Sequence, residues 1–388
     1  MNAPASLLSL LGASWEFGAP VVALAWGVES GMVGFALGDG HLAVANAKWR
    51  GGPRVEPKPG GGVAVVPAVS PPPRPVRVTC HQGSCLGVVG DASGGFITGG
   101  DDGRVVHVPR VGNPVVLADV PGAWIDALAC SKMGVRAYAS GRNVHRMTTL
   151  GTQSTTNTTN TTSTDSIELP APATALAFSR DSSCLAAAHS GGVTLWSSAG
   201  LPRRLAWPGY HRALAWSADG RYLVAGMQEN ALHGWRVADG GDIEMGGYPG
   251  QPLSLSVSHD GSYLATSGGT RPVCWGFDPP GAAGQPVECG IPSQTPVNCV
   301  SCHPKQSLIA VGYCNGAVML CRPGSDDGLF IKGSGGGAVN AIAWSGDGSR
   351  LAFGTQDGVF GWVELPDQLF AVRSSARTGS QPQERATP

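Results

Sequence analysis

One strand pattern recurs along this chain at a nearly constant spacing, and that recurrence limits the fold more than any single motif does. After Arg212 the chain reads ALAWSADGRYLVAGMQENALHGW, the stretch ending at Trp275 reads LSVSHDGSYLATSGGTRPVCW, and the one ending at Trp362 reads AIAWSGDGSRLAFGTQDGVFGW. Each is a short apolar strand, a polar turn, a second strand, a second turn and a third strand closing on an aromatic. Weaker copies begin near Val21, Ser84, Trp124, Thr174 and Val297, which makes eight units. Their third strands end near Val44, His107, Met147, Trp196, Trp235, Trp275, Cys321 and Trp362, so the gaps after a first one of 63 are 40, 49, 39, 40, 46 and 41 residues. Asp219-Gly220, Asp260-Gly261 and Asp347-Gly348 mark first turns, and Asp39-Gly40, Asp102-Gly103, Asn315-Gly316 and Asp357-Gly358 mark second turns. Such pairs supply the positive φ that tight hairpins need. With 58 glycines, 30 prolines and only 14% charged residues, the chain suits many short strands and not a helical bundle.

A small twisted sheet has two faces to bury and two edges to protect, and radial packing of such sheets meets both needs. The expectation is therefore an all-β, closed propeller of four-stranded blades, eight in number, with seven as the alternative. Closure needs one blade built from both chain ends. Ser14-Trp15-Glu16-Phe17 precedes the first repeat as an orphan strand and is expected to complete the last blade, which stops at Val363-Glu364 after three strands. The competing closure uses Leu369 to Val372. Residues 1–12 read as a ragged leader, 13–373 as one propeller domain, and 374–388, rich in Ser, Arg, Gln and Pro, as a disordered tail. Two low-complexity loop insertions interrupt the repeats, at 50–75 and 148–164. Both fall between a third and a fourth strand, so strand parity hangs them from one face and leaves the other open.

The repeats resemble the WD-repeat family over most of the chain, although the family's Trp-Asp dipeptide is missing: Trp196, Trp235, Trp275 and Trp362 are followed by Ser, Arg, Gly and Val. ALHGWRVADG from Ala231, GYPG from Gly247, SHDGSYLATSGG from Ser258 and CHPKQSLIAVGY from Cys302 are similar to a subfamily of bacterial WD-repeat proteins of alphaproteobacterial type. That resemblance implies a fold and a scaffold role more than an activity. It also implies an alternative, an accessory protein of metal homeostasis linked to a CobW-type GTPase.

A net charge of −1 argues against a nucleic-acid or anionic-membrane binder. The apolar run Leu7 to Leu11 lacks a preceding Lys or Arg and is too short for a signal peptide, and no apolar stretch is long enough to span a bilayer. Cys130, Cys184, Cys274 and Cys302 replace apolar residues inside strand patterns, which suits reduced thiols in a cytoplasmic protein. Cys299-Val300-Ser301-Cys302-His303 matches the haem-attachment pattern, but it coincides with a repeat strand, Cys302 standing where Trp216 and Trp344 stand. Zinc ligands could be sought among Cys80, His81 and Cys85, or Cys299, Cys302, His303 and Cys314, yet strand alternation points neighbours apart. Core thiols with structural histidines are the reading taken, so no metal and no cofactor is expected. No catalytic template matches: there is no G-x-S-x-G, H-E-x-x-H or phosphate-binding loop. The paired acids Asp101-Asp102 and Asp326-Asp327 read as solvated turns, and PPPRP at Pro71 to Pro75 as a stiff loop.

What remains is a monomeric interaction scaffold, not an enzyme, that presents its open face to a protein or peptide. A channel-site enzyme or small-ligand binder is the alternative. On the open face the expected contact residues are Trp124, Asp126, Arg142, Tyr210, His211, Gln228, Glu229 and Tyr248, with Pro249 beside them. Trp, Tyr and Arg dominate binding hot spots because they bury large area and keep a polar handle.

Overall fold

Alternating apolar residues punctuated by Gly-containing turns become short antiparallel meanders from end to end. The structure, a computed structural model, describes residues 6–29, 31–59, 62–153, 158–198, 200–277 and 286–370. The strands form seven main sheets, six of four strands and one of six, together with a separate two-stranded hairpin. The six-stranded sheet carries two repeats. Within it Cys184–Ser197 bends back on itself, with Gly191 and Gly192 at φ of +86° and +135° and His189 Nε2 meeting Thr194 Oγ1 across the bend at 3.0 Å. A Cβ on Gly192 would lie 2.1 Å from the Leu205 carbonyl oxygen, so only glycine fits there. Arg203–Trp216 pairs through 203–210 with this bent strand and through 211–216 with Tyr222–Met227. Counted by continuous hydrogen bonding the propeller thus has seven sheets, and counted by repeat it has eight units.

The first strands of the units ring the axis: Val21–Trp26, Cys85–Gly90, Leu128–Cys130, Ala173–Phe178, 211–216, Leu255–Val257, Val297–Cys302 and Val339–Trp344. Each touches the next, and the last touches the first. Between every pair of neighbouring units lies one apolar cluster, such as Phe35 with Phe360 and Trp362 between units eight and one. Three tryptophans at the ends of first strands donate back to the preceding unit: Trp26 to Ala343 O at 2.9 Å, Trp216 to Ala177 O at 3.1 Å and Trp344 to Ser301 O at 3.1 Å. Cys302 takes the same place in unit seven, its thiol 3.2 Å from Ser256 O.

The ring closes through the early segment. Gly12–Glu16 pairs antiparallel with the third strand of unit eight, Val359–Glu364, from Gly12 opposite Val363 to Glu16 opposite Val359. Trp15 and Phe17 both pack their rings on Phe360. Leu369 ends the 3₁₀ turn Asp367–Leu369, while Val372 and the tail 374–388 lie outside the described residues.

Two segments differ from the sequence expectation. Leu7–Leu11, placed in the leader, is a short helix capped by the Ser6 hydroxyl, and Leu11 is buried against Ile331 and Leu365. The leucine run has an apolar rim of units seven and eight to cover. Of residues 148–164, read as a loop, 148–153 and 158–164 are the extension of a hairpin: Asn143–Gln153 pairs with Thr158–Glu168 out to Gln153 opposite Thr158, and 154–157 lie outside the described residues. Threonine's β-branch favours extended backbone, which polarity alone had disguised. In the other insertion Arg54–Pro57 and Val63–Val66 form the separate hairpin. Both insertions join a third to a fourth strand and so emerge from one face, hereafter the insertion face.

Candidate partner-binding face

The opposite face is built from the second-to-third-strand turns and the connections between units. Backbone bonds tie the two kinds of segment together: Ile125 N–H to Gly100 O at 3.0 Å, Leu169 N–H to Arg142 O at 2.8 Å, and Gln228 N–H to Tyr210 O at 3.0 Å. In unit two a histidine does the tying. His81 Nδ1 pairs with Asp102 at 2.9 Å and Nε2 with Thr98 Oγ1 at 2.9 Å, and Asp101 accepts the Ser84 N–H at 2.8 Å. Asp101 and Asp102 are therefore engaged in holding a turn, not merely solvated. Burial lowers the His81 pKa against the opposing pull of Asp102.

On this rigid base the exposed members of the expected set sit as follows. Trp124, in the connection into unit three, is 67% exposed, and Asp126 beside it is exposed too. Arg142 donates to Leu169 O at 2.9 Å and pairs with Glu168 at 3.1 Å. Tyr210 is 36% exposed; its N–H donates to Glu229 at 2.9 Å, and the Arg212 guanidinium stands 5.9 Å from its ring. Gln228 and Glu229 are exposed in the adjoining turn. Glu168 and Arg212 belong beside these residues but carry no signal in the sequence beyond their charge.

Two of the expected contact residues are not at the surface. His211 is fully buried, its Nε2 3.2 Å from Trp207 O and its ring against Trp235. Tyr248 is buried between units five and six, its hydroxyl 2.7 Å from Thr266 Oγ1 and receiving the Trp275 indole N–H at 2.5 Å. Both follow a connection closely enough that the next unit covers them.

Cys85, Cys299 and Cys302 with His81 and His303 are taken up by the core, Cys80 is half-buried and Cys314 is exposed. His303 Nδ1 accepts the N–H groups of Lys305 and Gln306 at 3.0 and 2.9 Å, and Nε2 donates to Gly348 O at 3.0 Å, which leaves no lone pair for a metal. Burial pushes the thiols of Cys299 and Cys302 up to about 12, so neither is a thiolate at neutral pH. Among the described residues no group of three or more His, Cys, Asp or Glu is arranged to hold a metal ion. The first-turn acids are also occupied: Ser217, Ser258 and Ser345 each donate at 2.6 Å to Asp219, Asp260 and Asp347. Where the first turns meet the axis, an open mouth of about 480 Å³ is lined by Lys132, Arg180 and His259 and by no carboxylate. No helix among the described residues is long and apolar enough to cross a membrane.

Residues 295–370, covering units seven and eight, match the family described as the anaphase-promoting complex subunit 4 WD40 domain. Among solved structures the chain is similar to the computationally designed Ika8 protein, with a TM-score of 0.65 at 15% identity, over 90% of this chain and 98% of that one. It is also similar to a chain of the mitotic checkpoint complex, with a TM-score of 0.57 at 13% identity, over 95% and 98%. No curated protein matches the sequence. At such identities the likeness speaks for the fold alone. The WD40 family match is confined to the last two units, and what the whole chain shares with these structures is the β-propeller fold.

Proposed function

We propose that the chain is a non-catalytic protein-interaction scaffold whose face of turns and connections holds a protein or peptide partner. WD40 propellers generally serve as interaction scaffolds, and that general role supports the reading. The observation that carries it is Trp124. An indole left 67% exposed on a backbone pinned by hydrogen bonds keeps a large apolar area in water at a free-energy cost that a partner removes. Tyr210, held by Glu229 and flanked by Arg212, offers a second amphipathic anchor on the same face. In this reading Arg142, Asp126, Gln228 and Glu229 form the polar rim, and the protein is a cytoplasmic monomer of the bacterial subfamily it resembles. Its ten cysteines are all free, as a reducing compartment favours.

The test is affinity capture from native cytosol with wild type, Trp124→Ala and Tyr210→Ala, each run with and without added zinc. The expected outcome is loss of the captured partner in both variants while their melting temperatures stay within about 2 °C of wild type, since surface changes are usually worth less than about 0.5 kcal/mol. Undiminished capture by folded variants, or unfolding of both, moves the site elsewhere. Capture that depends on zinc favours the metal-homeostasis alternative.

A further inference from the structure

On the insertion face, between unit eight and the first insertion, lies an open cavity of about 400 Å³ with basic walls. Lys48, Arg50 and Arg54 reach it from the segment after the third strand of unit one, and Arg350 from the start of the second strand of unit eight, Arg350–Thr355. Glu364 is the one carboxylate in its lining. The segment is anchored as a wall. The Trp49 indole N–H donates to Ser70 O at 3.0 Å and its ring meets Trp362 edge-on at 6.0 Å. Ser70 Oγ in turn donates to Arg50 O at 2.8 Å, and Val69 N–H to Gly51 O at 2.8 Å.

The charges in this wall are uncompensated. Among the described residues the side chains of Lys48, Arg50 and Arg54 make no hydrogen bond or ion pair. Arg350 is largely buried; it reaches Glu364 at 3.5 Å and Ser349 Oγ at 3.2 Å, yet its Nε is buried without a partner. A buried guanidinium N–H with no acceptor is costly, and four cations around one cavity repel one another. An anion with several oxygens relieves the repulsion.

We propose that this cavity binds a phosphoryl group. Planar guanidinium forks match the oxygens of a phosphoryl dianion in paired hydrogen bonds, and two or more of them outweigh what a single carboxylate would draw from the site. Gly51, at φ +77°, lets the wall turn sharply between Arg50 and Arg54. The space suits a phosphoryl group on a small carrier, since small-ligand sites run to roughly 300–1,000 Å³. The site lies across the molecule from the proposed partner face and stands or falls independently of it.

The experiment is calorimetric titration of the full chain with inorganic pyrophosphate and, separately, with a short phosphoserine peptide, at about 150 mM salt to screen loose surface attraction. Saturable binding of either probe is expected, weakened about tenfold or more in the Arg50→Gln, Arg54→Gln double variant with its melting temperature unchanged, because both side chains are exposed. Arg350→Lys, which keeps the charge but loses the fork, is expected to weaken binding as well. Binding of pyrophosphate alone assigns a small phosphorylated molecule, and tighter binding of the peptide assigns a phosphorylated chain; both sustain the site. No saturable binding of either probe to wild type, or equal affinity in the folded double variant, overturns it.

Discussion

His233 is fully buried, and neither of its ring nitrogens has a hydrogen-bond partner. Its imidazole stacks on Trp207 at 3.7 Å and meets Trp235 at 4.6 Å, so the residue serves as an aromatic filler. Burial pulls its pKa down to about 4. In the unfolded chain it titrates near its ordinary 6.5, so between those values the unfolded state takes up the proton first. The stability that depends on a neutral His233 is therefore complete above pH 6.5 and is lost as pH falls toward about 4. Burial also lowers His81, His189, His211 and His303, which act in the same direction. Urea melts at neutral pH and near the folded-state pKa should show wild type losing on the order of 2 kcal/mol more than His233→Phe. Equal losses in the two proteins would mean that this imidazole is not part of the acid response. Cys302 shows the complementary case, a small thiol making the backward bond that tryptophans make in other units.

Among the elements, the hairpin of Asn143–Gln153 and Thr158–Glu168 is built differently along its length. Near its base Val144 is buried in the cluster shared with unit four, and Met147 in the cluster shared with unit two. From Thr148 outward the two strands stay in backbone register as far as Gln153 opposite Thr158. The described core contacts of this hairpin lie at its base, so its outer part should be dispensable. Joining Thr148 to Ser163 through Asn-Gly in place of 149–162 shortens the hairpin at a position where the two residues already face each other. The expected melting temperature lies within about 2 °C of wild type, since loop length changes closure entropy only slowly. A fall of more than about 8 °C would show that the extension packs on the ring. The Thr and Asn run hid this element because it lacks apolar alternation, the signal by which strands are read, whereas the strands of the ring announce themselves by it.

For the molecule as a whole, closure is the decisive event. Seven of the eight units are completed by the segment that follows their own third strand, and unit eight is completed by Gly12–Glu16 from the other end of the sequence. Removing residues up to Phe17 uncovers the edge of Val359–Glu364 and strips Phe360 of the Trp15 and Phe17 rings. An open edge beside an exposed aromatic core invites pairing with other chains. The expected result is a fall in melting temperature of more than about 10 °C, with aggregates on size exclusion. Wild-type melting of a monodisperse truncated protein would show that the ring closes another way.

The period of about 40 residues, the Asp-Gly and Asn-Gly turns and the orphan Ser14–Phe17 segment were enough to reach the repeat, the strand parity and the closing strand, because each depends on local backbone preference or on simple counting. The same local reasoning placed Trp124, Tyr210 and Glu229 on one face. It could not separate Tyr210 from its neighbour His211, or recognise Tyr248 as core, because burial there depends on how far the adjoining unit leans over the connection. Nor could it see the basic cavity. Lys48, Arg50 and Arg54 lie within seven residues of one another, but Arg350 and Glu364 join them only when the ring brings unit eight beside unit one. Strand pattern is a property of neighbours in the chain, whereas exposure and uncompensated charge belong to neighbours in space, which the closed ring alone creates.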